Sequence, residues 1–354
     1  MMNKKLAYVS IIIVSVFAAF LLSGCYDNFD LEDRSLCTAM AVDYAEDEGY
    51  TVIISVPVLE DEEEIGRSLK EETAGTLAEA IELIDGKQTK QLYFGHMQTV
   101  ITGMGLLRSE KALKELTAYL SDNVQIDKNI LLVGAYEIRE IMNSEPKEDK
   151  LTGFFISGYY DSRKNEKTFV NKETLLAYLK DNSEDKTAVI PVLSIENDEP
   201  AFSSAAVLKN NSLAAILNRR EAQGFMWLTG KGSNGTLICD NPAITADIIE
   251  RETDCSFYEE DGVLKLDITI NAVGNMWNYT DDEIAANGSE YLEAFKKEIY
   301  SQTEAALLSL EKTDCDALSL NSLLKQENKE LYKKYGSAAE AKTKVTVNLS
   351  LNFV

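Results

Sequence analysis

The chain has 354 residues, 59 acidic against 35 basic residues, a formal net charge of −24 and one histidine. A chain of this length exceeds the usual size of one hydrophobic core, so two or three domains are expected. The charge argues against nucleic-acid binding, which needs a basic face, and the single His96 excludes sites built on two imidazoles, such as the HExxH zinc proteases.

The first 24 residues predict an export signal rather than part of the fold. Lys4 and Lys5 form a short basic region, and residues 6–22 are apolar except for two serines and a tyrosine. As a helix this segment is about 25 Å long at 1.5 Å per residue, which is short of the roughly 30 Å hydrocarbon core. The pattern is therefore typical of a signal peptide rather than of a permanent membrane span.

Leu22-Ser23-Gly24-Cys25 resembles the bacterial lipobox. Small residues before Cys25 give a peptidase access to the backbone, and the Cys25 thiol then carries an S-diacylglycerol, with an N-acyl chain such as palmitate on the new amino terminus. The alternative is an uncleaved anchor with an incidental cysteine. Loss of the two signal-peptide lysines leaves 33 basic and 59 acidic residues, a net charge of −26, which anionic headgroups repel. We therefore expect the lipid to hold the body at one membrane face.

Four further cysteines follow, at positions 37, 239, 255 and 315. No CxxC pair occurs among them, which argues against a zinc ribbon or a thioredoxin-type site. Export permits disulfides, and Cys239 with Cys255 is the nearest pair. Four separate buried thiols are the favoured alternative, because a folded body of this size does not need disulfide bonds for its stability.

The N-terminal half alternates strand and helix patterns, which predicts an α+β fold. Two strands at 36–43 and 50–58 form a hairpin around an acidic turn, and Thr76 is the expected cap of the first helix. The elements that follow are a helix at 73–84, a strand at 97–102, a helix at 109–120, a strand at 129–136, a short helix at 138–142 and a helical stretch over 150–182 with Leu175, Leu176 and Leu179 on one face.

Residues 181–186 have the composition of a linker, and the strand at 187–195 contains Pro191, which predicts an edge strand or an irregular connection. The later elements are a hairpin at 201–217, a short helix at 220–228, a strand at 263–273, a helix at 289–310, a second helix at 318–335 and a closing strand at 343–354. The predicted domains are a signal peptide at 1–24, an N-terminal α+β domain at 25–197, and a C-terminal α+β region at 198–354 with a middle sheet and a helix-on-sheet part.

Three features imitate functional sites. Residues 230–235 match G-x-G-x-x-G, but a helix precedes them and a strand follows, so a turn is favoured over a nucleotide site. The acidic stretch 60–64 lacks the alternating ligands of a calcium loop and is favoured as a solvated loop. His96 has no local nucleophile, so a structural or interface role is favoured over a general base. The sequence therefore predicts no catalytic residues, no cofactor and no metal site.

Several short motifs together resemble the Ger(x)C family of spore germination lipoproteins. Cys25-Tyr26-Asp27 stands where the family typically has Cys-Trp-Asp, and Ala41-Val42-Asp43 is similar to the Gly-Ile-Asp that ends its first strand. Tyr26 and Asn275 depart from the family pattern. The resemblance continues in order through 76–80, 95–103, 190–191, 205–209 and 296–299.

The resemblance implies a lipid-anchored, non-enzymatic C subunit of a nutrient germinant receptor. Its implied fold is an α+β body of three domains on the outer face of the spore inner membrane, and its implied partners are two integral membrane subunits. Two other classes stay open from the residues alone. A substrate-binding lipoprotein of a transporter predicts two lobes around a ligand cleft, and an extracytoplasmic hydrolase requires His96 or a carboxylate pair in a deep pocket.

Overall fold

The computed structural model describes residues 33–61, 64–147, 149–161, 170–184, 186–230, 235–277, 279, 281–313 and 315–354. The predicted signal peptide, the lipobox with Cys25 and most of the G-x-G-x-x-G segment lie outside the described residues. Within them the chain forms an α+β fold with mixed sheets, as the alternating patterns predicted.

The first half of the chain builds a large mixed sheet. Its strands are β1 (Arg34–Leu36), β2 (Ala39–Ala45), β3 (Gly49–Asp61), β4 (Glu64–Ala74), β5 (Gln91–Tyr93), β6 (Thr99–Gly103), β7 (Leu131–Ala135), β8 (Ala188–Glu196), β9 (Glu199–Lys209) and β10 (Ser212–Asn218). β1 and β5 pair with each other, and the other eight strands form one sheet in the order β10-β9-β8-β7-β6-β2-β3-β4. The central strands β8, β7, β6 and β2 are parallel, and an antiparallel hairpin flanks them on each side.

Helices cover both faces of this sheet. They are α1 (Leu77–Gly86), α2 (Met104–Arg108), α3 (Glu110–Asp122), α4 (Ile138–Asn143), α5 (Thr152–Asp161) and α6 (Leu175–Ser183). The apolar residues of α1, α2, α3 and α6 pack with one face of the sheet, and those of α4 and α5 with the other. β6 and β7 are accordingly buried along their whole length, as expected for parallel strands between two helical layers.

The second half forms a smaller sheet with a long helix against it. The elements are α7 (Arg219–Thr229), β11 (Thr236–Asp240), β12 (Ala243–Glu260), β13 (Val263–Met276), α8 (Asp281–Leu310), α9 (Leu320–Glu327), α10 (Lys329–Tyr335) and β14 (Lys342–Phe353). The sheet order is β11-β12-β13-β14, and only the β13–β14 pair is parallel. Phe295, Ile299 and Ala306 of α8 are fully buried, as the helical spacing predicted.

α7 connects the two sheets through a single apolar core. One buried cluster contains Val207 of β9, Phe225 and Trp227 of α7, Ile270 of β13 and Ile299 of α8. β9 and β10 also belong to the first sheet, which therefore continues past the predicted limit at residue 197. The division into 25–197 and 198–354 stays a prediction.

Two local features in the second half of the chain differ from the simplest form of their prediction. Strand β8 lies inside the sheet, between β7 and β9, and is not an edge strand. Pro191 itself pairs only with β9, because β7 reaches only Val192 and Leu193, and the register with β9 shifts between these two residues, which fits the irregular alternative. The helix predicted over 318–335 is two helices. Asn328 has φ −142 and its side chain accepts a hydrogen bond from the Leu331 amide, which starts α10.

One prediction in the first half of the chain is wrong, and one strand there was missed. Leu176 does not share the buried face of α6, since its side chain is 54% exposed whereas Leu175 is fully buried. β4 was not predicted at all. Its sequence, EIGRSLKEETA, is polar because β4 lies at the edge of the sheet, where charged side chains discourage pairing with other chains.

Candidate functional site

Two motifs that carry the family resemblance meet where the pairing of β2 with β6 ends. These strands pair in parallel with Val42 opposite Thr102, so the following Asp43 and Gly103 lie side by side. Asp43 Oδ1 accepts the Leu106 amide of α2 at 2.9 Å, and a Cβ at position 103 would lie 2.1 Å from Asp43 Cγ. Residue 103 must therefore be glycine, and the Asp43 carboxylate serves to start α2, a structural role.

His96 lies on an exposed turn between β5 and β6. Its ring and the Tyr93 ring meet in an edge-type arrangement with centroids 6.1 Å apart, and the His96 carbonyl oxygen accepts a hydrogen bond from the Gln98 side-chain amide at 3.0 Å. The hydrolase alternative requires either this imidazole or a carboxylate pair in a deep pocket, and the exposed turn does not place the imidazole in one. The interface role that the sequence left open is compatible with this exposure.

The four described cysteines are free thiols. Cys239 of β11 is opposite Ile244, and Cys255 lies eleven residues further along β12. At about 3.4 Å per residue the two Cα atoms are roughly 35 Å apart, whereas a disulfide needs about 7 Å or less. The Cys239–Cys255 pairing is therefore incompatible with this fold. Burial raises the pKa of both thiols to about 11 and that of the Cys37 thiol still further.

Nowhere in the described part of the chain do three or more His, Cys, Asp or Glu side chains gather closely enough to hold a metal ion. Among the same residues, no helix combines the length and the apolar character that crossing a membrane requires. Within the described residues, the candidate binding places are therefore cavities and exposed surfaces.

A cavity of about 460 Å³ lies between α7, α8 and the strands β11 and β12. We call it the arginine cavity, because Arg219, Arg220 and Arg251 line it against two carboxylates, Asp240 and Glu298. The excess of positive charge is local, since the whole chain carries −24. The apolar part of the wall includes Met226, Trp227, Leu237 and Ile248.

A β-bulge turns Arg251 into this cavity. The pairing of β12 with β13 shifts between Ile248 and Glu250, so one extra residue separates the two stretches of the strand. Before the bulge the even-numbered residues face the helices, as buried Ile244 shows, and after it the odd-numbered residues do, as buried Phe257 shows. Bulges commonly redirect a side chain in this way beside functional sites.

Arg251 is held against an aromatic ring inside the protein. Its guanidinium carbon lies 5.1 Å from the centroid of Trp227, a cation–π arrangement. Burial lowers the pKa of Arg251 to about 10, because the charged form loses hydration. The guanidinium remains protonated at neutral pH and is a partly buried positive charge between helix and sheet.

A chain of hydrogen bonds fixes the wall around this arginine. The Trp227 indole N–H donates to Gln302 Oε1 at 2.9 Å, and the Gln302 amide donates to Glu298 Oε1 at 3.0 Å. Both Glu298 oxygens contact Arg220, at 2.9 and 3.0 Å. Arg219 donates to the Phe202 carbonyl at 2.7 Å. These contacts span α7, α8 and β9, so the cavity is formed by fixed elements rather than by a loop.

A second cavity of about 520 Å³ lies between α6, α7, β12 and α9. Its wall is acidic, with Glu173, Asp181, Asp254 and Glu327, and burial raises the pKa of Glu327. The transporter alternative needs two lobes that close around such a cleft. The continuous core through α7 joins the two sheets instead, which argues against that motion.

The β3–β4 hairpin projects beyond its neighbour β2. β2 pairs only with residues 49–55 of β3, whereas β3 and β4 continue to pair as far as Asp61 and Glu64. Leu59 and Ile65 are directly opposite each other in this extension, and they are 81% and 55% exposed. We call Val58, Leu59 and Ile65 the hairpin tip; it is an exposed apolar surface on an acidic body.

Sequence reasoning missed both the arginine cavity and the hairpin tip. Arg251 lies 31 residues after Arg220, and no motif joins them. The available signal was the change of apolar positions in β12 from even to odd numbers, which indicates a bulge. The hairpin tip was missed because the polar composition of β4 resembles that of a loop.

Two family models match the chain. One, described as the spore germination protein N-terminal domain, covers residues 27–195, and the other, described as spore germination B3/GerAC like, C-terminal, covers residues 203–352. The chain belongs to the GerAC family of spore germination proteins. The resemblance to Ger(x)C proteins is thereby confirmed.

Two curated proteins and one solved structure are similar to this chain over most of their length. Spore germination protein A3 of Bacillus subtilis (strain 168) is 20% identical over 285 residues, covering 77% of this chain and 75% of that protein. The putative spore germination protein YfkR of the same strain is 22% identical over 366 residues, covering 91% and 92%. The crystal structure of the GerBC protein has the same fold, with a TM-score of 0.54 and 15% identity over 89% of this chain and 96% of that chain.

The two GerAC family matches divide between β8 and β9, within the eight-stranded sheet. The N-terminal match ends at residue 195, one residue before the end of β8. The C-terminal match starts at residue 203, inside β9, which pairs along the whole of β8. The GerAC sequence domains are thus joined in this fold by an antiparallel strand pair.

Proposed function

We propose that this chain is the lipid-anchored, non-catalytic subunit of a spore nutrient germinant receptor and supports germination through contacts with integral membrane subunits. The observation that carries the proposal is the match of both GerAC family domains, over residues 27–195 and 203–352, on a fold shared with GerBC. The proposed place of the protein is the outer face of the spore inner membrane.

The proposed anchor is the lipid on Cys25. Only seven residues separate Cys25 from Asp33, the first described residue, so a fully extended tether reaches about 28 Å. The acidic body gains nothing from an anionic membrane surface, and the acyl chains therefore supply the membrane affinity. A short tether of this kind raises the local concentration of the body beside membrane partners.

The exposed apolar side chains of the hairpin tip support a role of this surface in binding another protein. Leu59 and Ile65 are apolar and exposed, and the sequence between them carries five acidic residues, 60–64. Such a charged sequence disfavours insertion among anionic lipid headgroups, whereas a basic protein surface complements it. We therefore propose that the hairpin tip contacts a membrane subunit.

The anchor is tested by Cys25→Ala in a spore former that lacks the wild-type copy. The expected result is loss of the protein from the spore membrane fraction and slower germination in defined nutrients, because the acyl chains are missing. Cys315→Ser is the matched control, since that cysteine lies on the body and is expected to leave both readouts unchanged. Full membrane retention and normal germination of Cys25→Ala would contradict the anchor.

The contact surface is tested by the double variant Leu59→Ser/Ile65→Ser. We expect the variant to remain in the membrane fraction but to germinate more slowly and to co-purify less with the membrane subunits. Leu176→Ser/Leu308→Ser is the matched control, because both leucines are 54% exposed and lie elsewhere on the body. If the tip variant germinates and co-purifies like the wild type, the hairpin tip is not the contact.

A further inference from the structure

We propose that the open edge of β14 pairs antiparallel with β14 of a second copy of this chain, which joins two four-stranded sheets into one sheet of eight strands. The inference does not rest on the proposed receptor function. It rests on the exposure of this edge, on the charge of the strand and on the pattern of its side chains.

β14 is the last strand of the second sheet. Its twelve residues pair in parallel with β13 without a bulge, and within the described ranges no strand pairs with its other edge. A row of backbone N–H and C=O groups is therefore open to another strand. The apolar side chains along this edge are also incompletely covered: Ile268 and Ile270 of β13 are buried, whereas Val347 and Leu351 of β14 are half-buried.

The sequence of β14 lacks the features that usually keep an edge strand from pairing. Charged side chains, proline or a bulge discourage such pairing. β4 has five charged residues, β10 has a bulge, and β11 is only five residues long. Residues 345–353 of β14 contain no charged residue, no proline and no bulge. This edge is therefore suited to strand addition.

The distribution of charge allows a second copy to approach this edge. Two chains of net charge −24 repel each other, so an interface between them is favoured where acidic residues are missing. The chain has 59 acidic residues in 354, yet residues 341–354 contain none and carry Lys342 and Lys344. Two copies that meet along β14 therefore bring no carboxylate of this strand against another.

The apolar side chains of β14 are self-complementary in one antiparallel register. With Leu349 opposite Leu349 of the second copy, Val345 is opposite Phe353 and Val347 is opposite Leu351. All of these side chains are on the face toward α8, where they pack against the core. A two-fold axis at Leu349 relates the two copies, so the interface closes with two chains. Any shift by one residue would place apolar side chains opposite polar ones.

The polar face of the strand fits the same register. The Asn348 amide donates to Asn271 Oδ1 at 2.9 Å and the Asn352 amide to Asn275 Oδ1 at 3.1 Å, so two asparagine pairs link β14 to β13. Each of these bonds uses one N–H of a side chain that has two such donors and an acceptor oxygen. In the second copy, Ser350 lies opposite Asn348 and a threonine lies opposite Asn352, and their hydroxyls can continue the hydrogen bonds.

The test combines sedimentation velocity of the purified full chain in detergent with disulfide cross-linking. We expect the wild type to form a dimer whose fraction rises with protein concentration. For cross-linking, Asn348→Cys and Ser350→Cys, both at exposed positions, are oxidised separately and as a mixture. Opposite residues have Cα atoms about 5 Å apart, whereas two residues out of register raise this distance to roughly 8 Å, which is too far for a disulfide. We therefore expect at least about fivefold more linked dimer in the mixture than in either variant alone.

The separate variants are the matched controls, because all three samples contain the same native cysteines and differ only in the position of the new thiol. More cross-linking in the mixture than in either variant alone supports the pairing and its register. A wild type that stays monomeric as its concentration rises overturns the proposal. Equal cross-linking in the mixture and in the separate variants also overturns it, since the copies would then meet without the register that Leu349 defines.

Discussion

The contact between α7 and α8 depends on the absence of a side chain at Gly224. A Cβ at this position would lie 1.9 Å from the carbonyl oxygen and 2.4 Å from the carbonyl carbon of Gln302, both backbone atoms of α8. Ordinary contact starts at 3.4 Å, so Gly224→Ala forces the two helices apart by about 1.5 Å. Backbone atoms cannot rotate away as the end of a flexible side chain can.

The magnitude follows from three opposing terms. Alanine is about 1 kcal/mol better than glycine inside a helix, which favours the variant. Overpacking of a core costs about 1–3 kcal/mol. Separation of the helices also weakens the buried Trp227–Gln302 hydrogen bond, worth about 1 kcal/mol. We therefore expect Gly224→Ala to lower the free energy of unfolding by about 1–3 kcal/mol.

Urea denaturation followed by tryptophan fluorescence measures this change, because Trp227 lies on the same helix. Gly158→Ala on α5 is the matched control: no atom lies within 4 Å of its added Cβ, so we expect a gain of about 0.5–1 kcal/mol from helix propensity. The two alanine variants should thus move the midpoint in opposite directions. A Gly224→Ala protein as stable as the wild type would refute the close helix contact.

Three further changes have expected outcomes. Asp43→Ala removes the acceptor of two backbone amides and should lower the free energy of unfolding by about 1–3 kcal/mol in the same denaturation assay. Cys239 and Cys255 have pKa values raised to about 11, so in the native protein iodoacetamide should modify them slowly at pH 8 and faster as the pH approaches 11; a peptide with the two joined by a disulfide would contradict the fold. Arg67→Gln removes three hydrogen bonds to the segment 143–152 and should accelerate limited proteolysis there, whereas unchanged cleavage would show that these bonds do not hold the segment.

Local features of the fold could be predicted because neighbouring residues determine them. Thr76 was expected to cap the first helix, and its hydroxyl accepts the Glu79 amide at 3.2 Å. A hairpin was expected at 201–217, and Asn210 and Asn211 at its turn have positive φ, 51° and 58°, as a tight hairpin of this kind requires. In each case the chemistry of one or two side chains is sufficient to predict the local structure.

Long-range pairing could not be predicted in the same way. The apolar pattern of β9 indicates a strand but not its partner, and its pairing with β8 places it in the first sheet beyond residue 197. The same limit applies to Asp43 and Gly103, which were noted as separate motifs and lie in contact because β2 and β6 are parallel. The apolar pattern of a strand shows which of its faces is buried, but it does not show which other strand pairs with it.

The arginine cavity shows that a shift of one residue in the pairing of two strands can decide whether a cavity wall is acidic or basic. If β12 alternated without interruption from Ile248, the next two side chains toward the helices would be Glu250 and Glu252, two buried carboxylates beside Glu298. The bulge exposes both glutamates and turns Arg251 inward instead, so the wall becomes basic rather than acidic. Regular pairing of the full sequence would bury the two glutamates, and a buried unpaired carboxylate costs several kcal/mol, whereas deletion of Ile249 would leave Arg251 two positions after Ile248 and still on the inner face. The bulge therefore accommodates Ile249 without burying Glu250 and Glu252, and it keeps Arg251 on the face toward the helices.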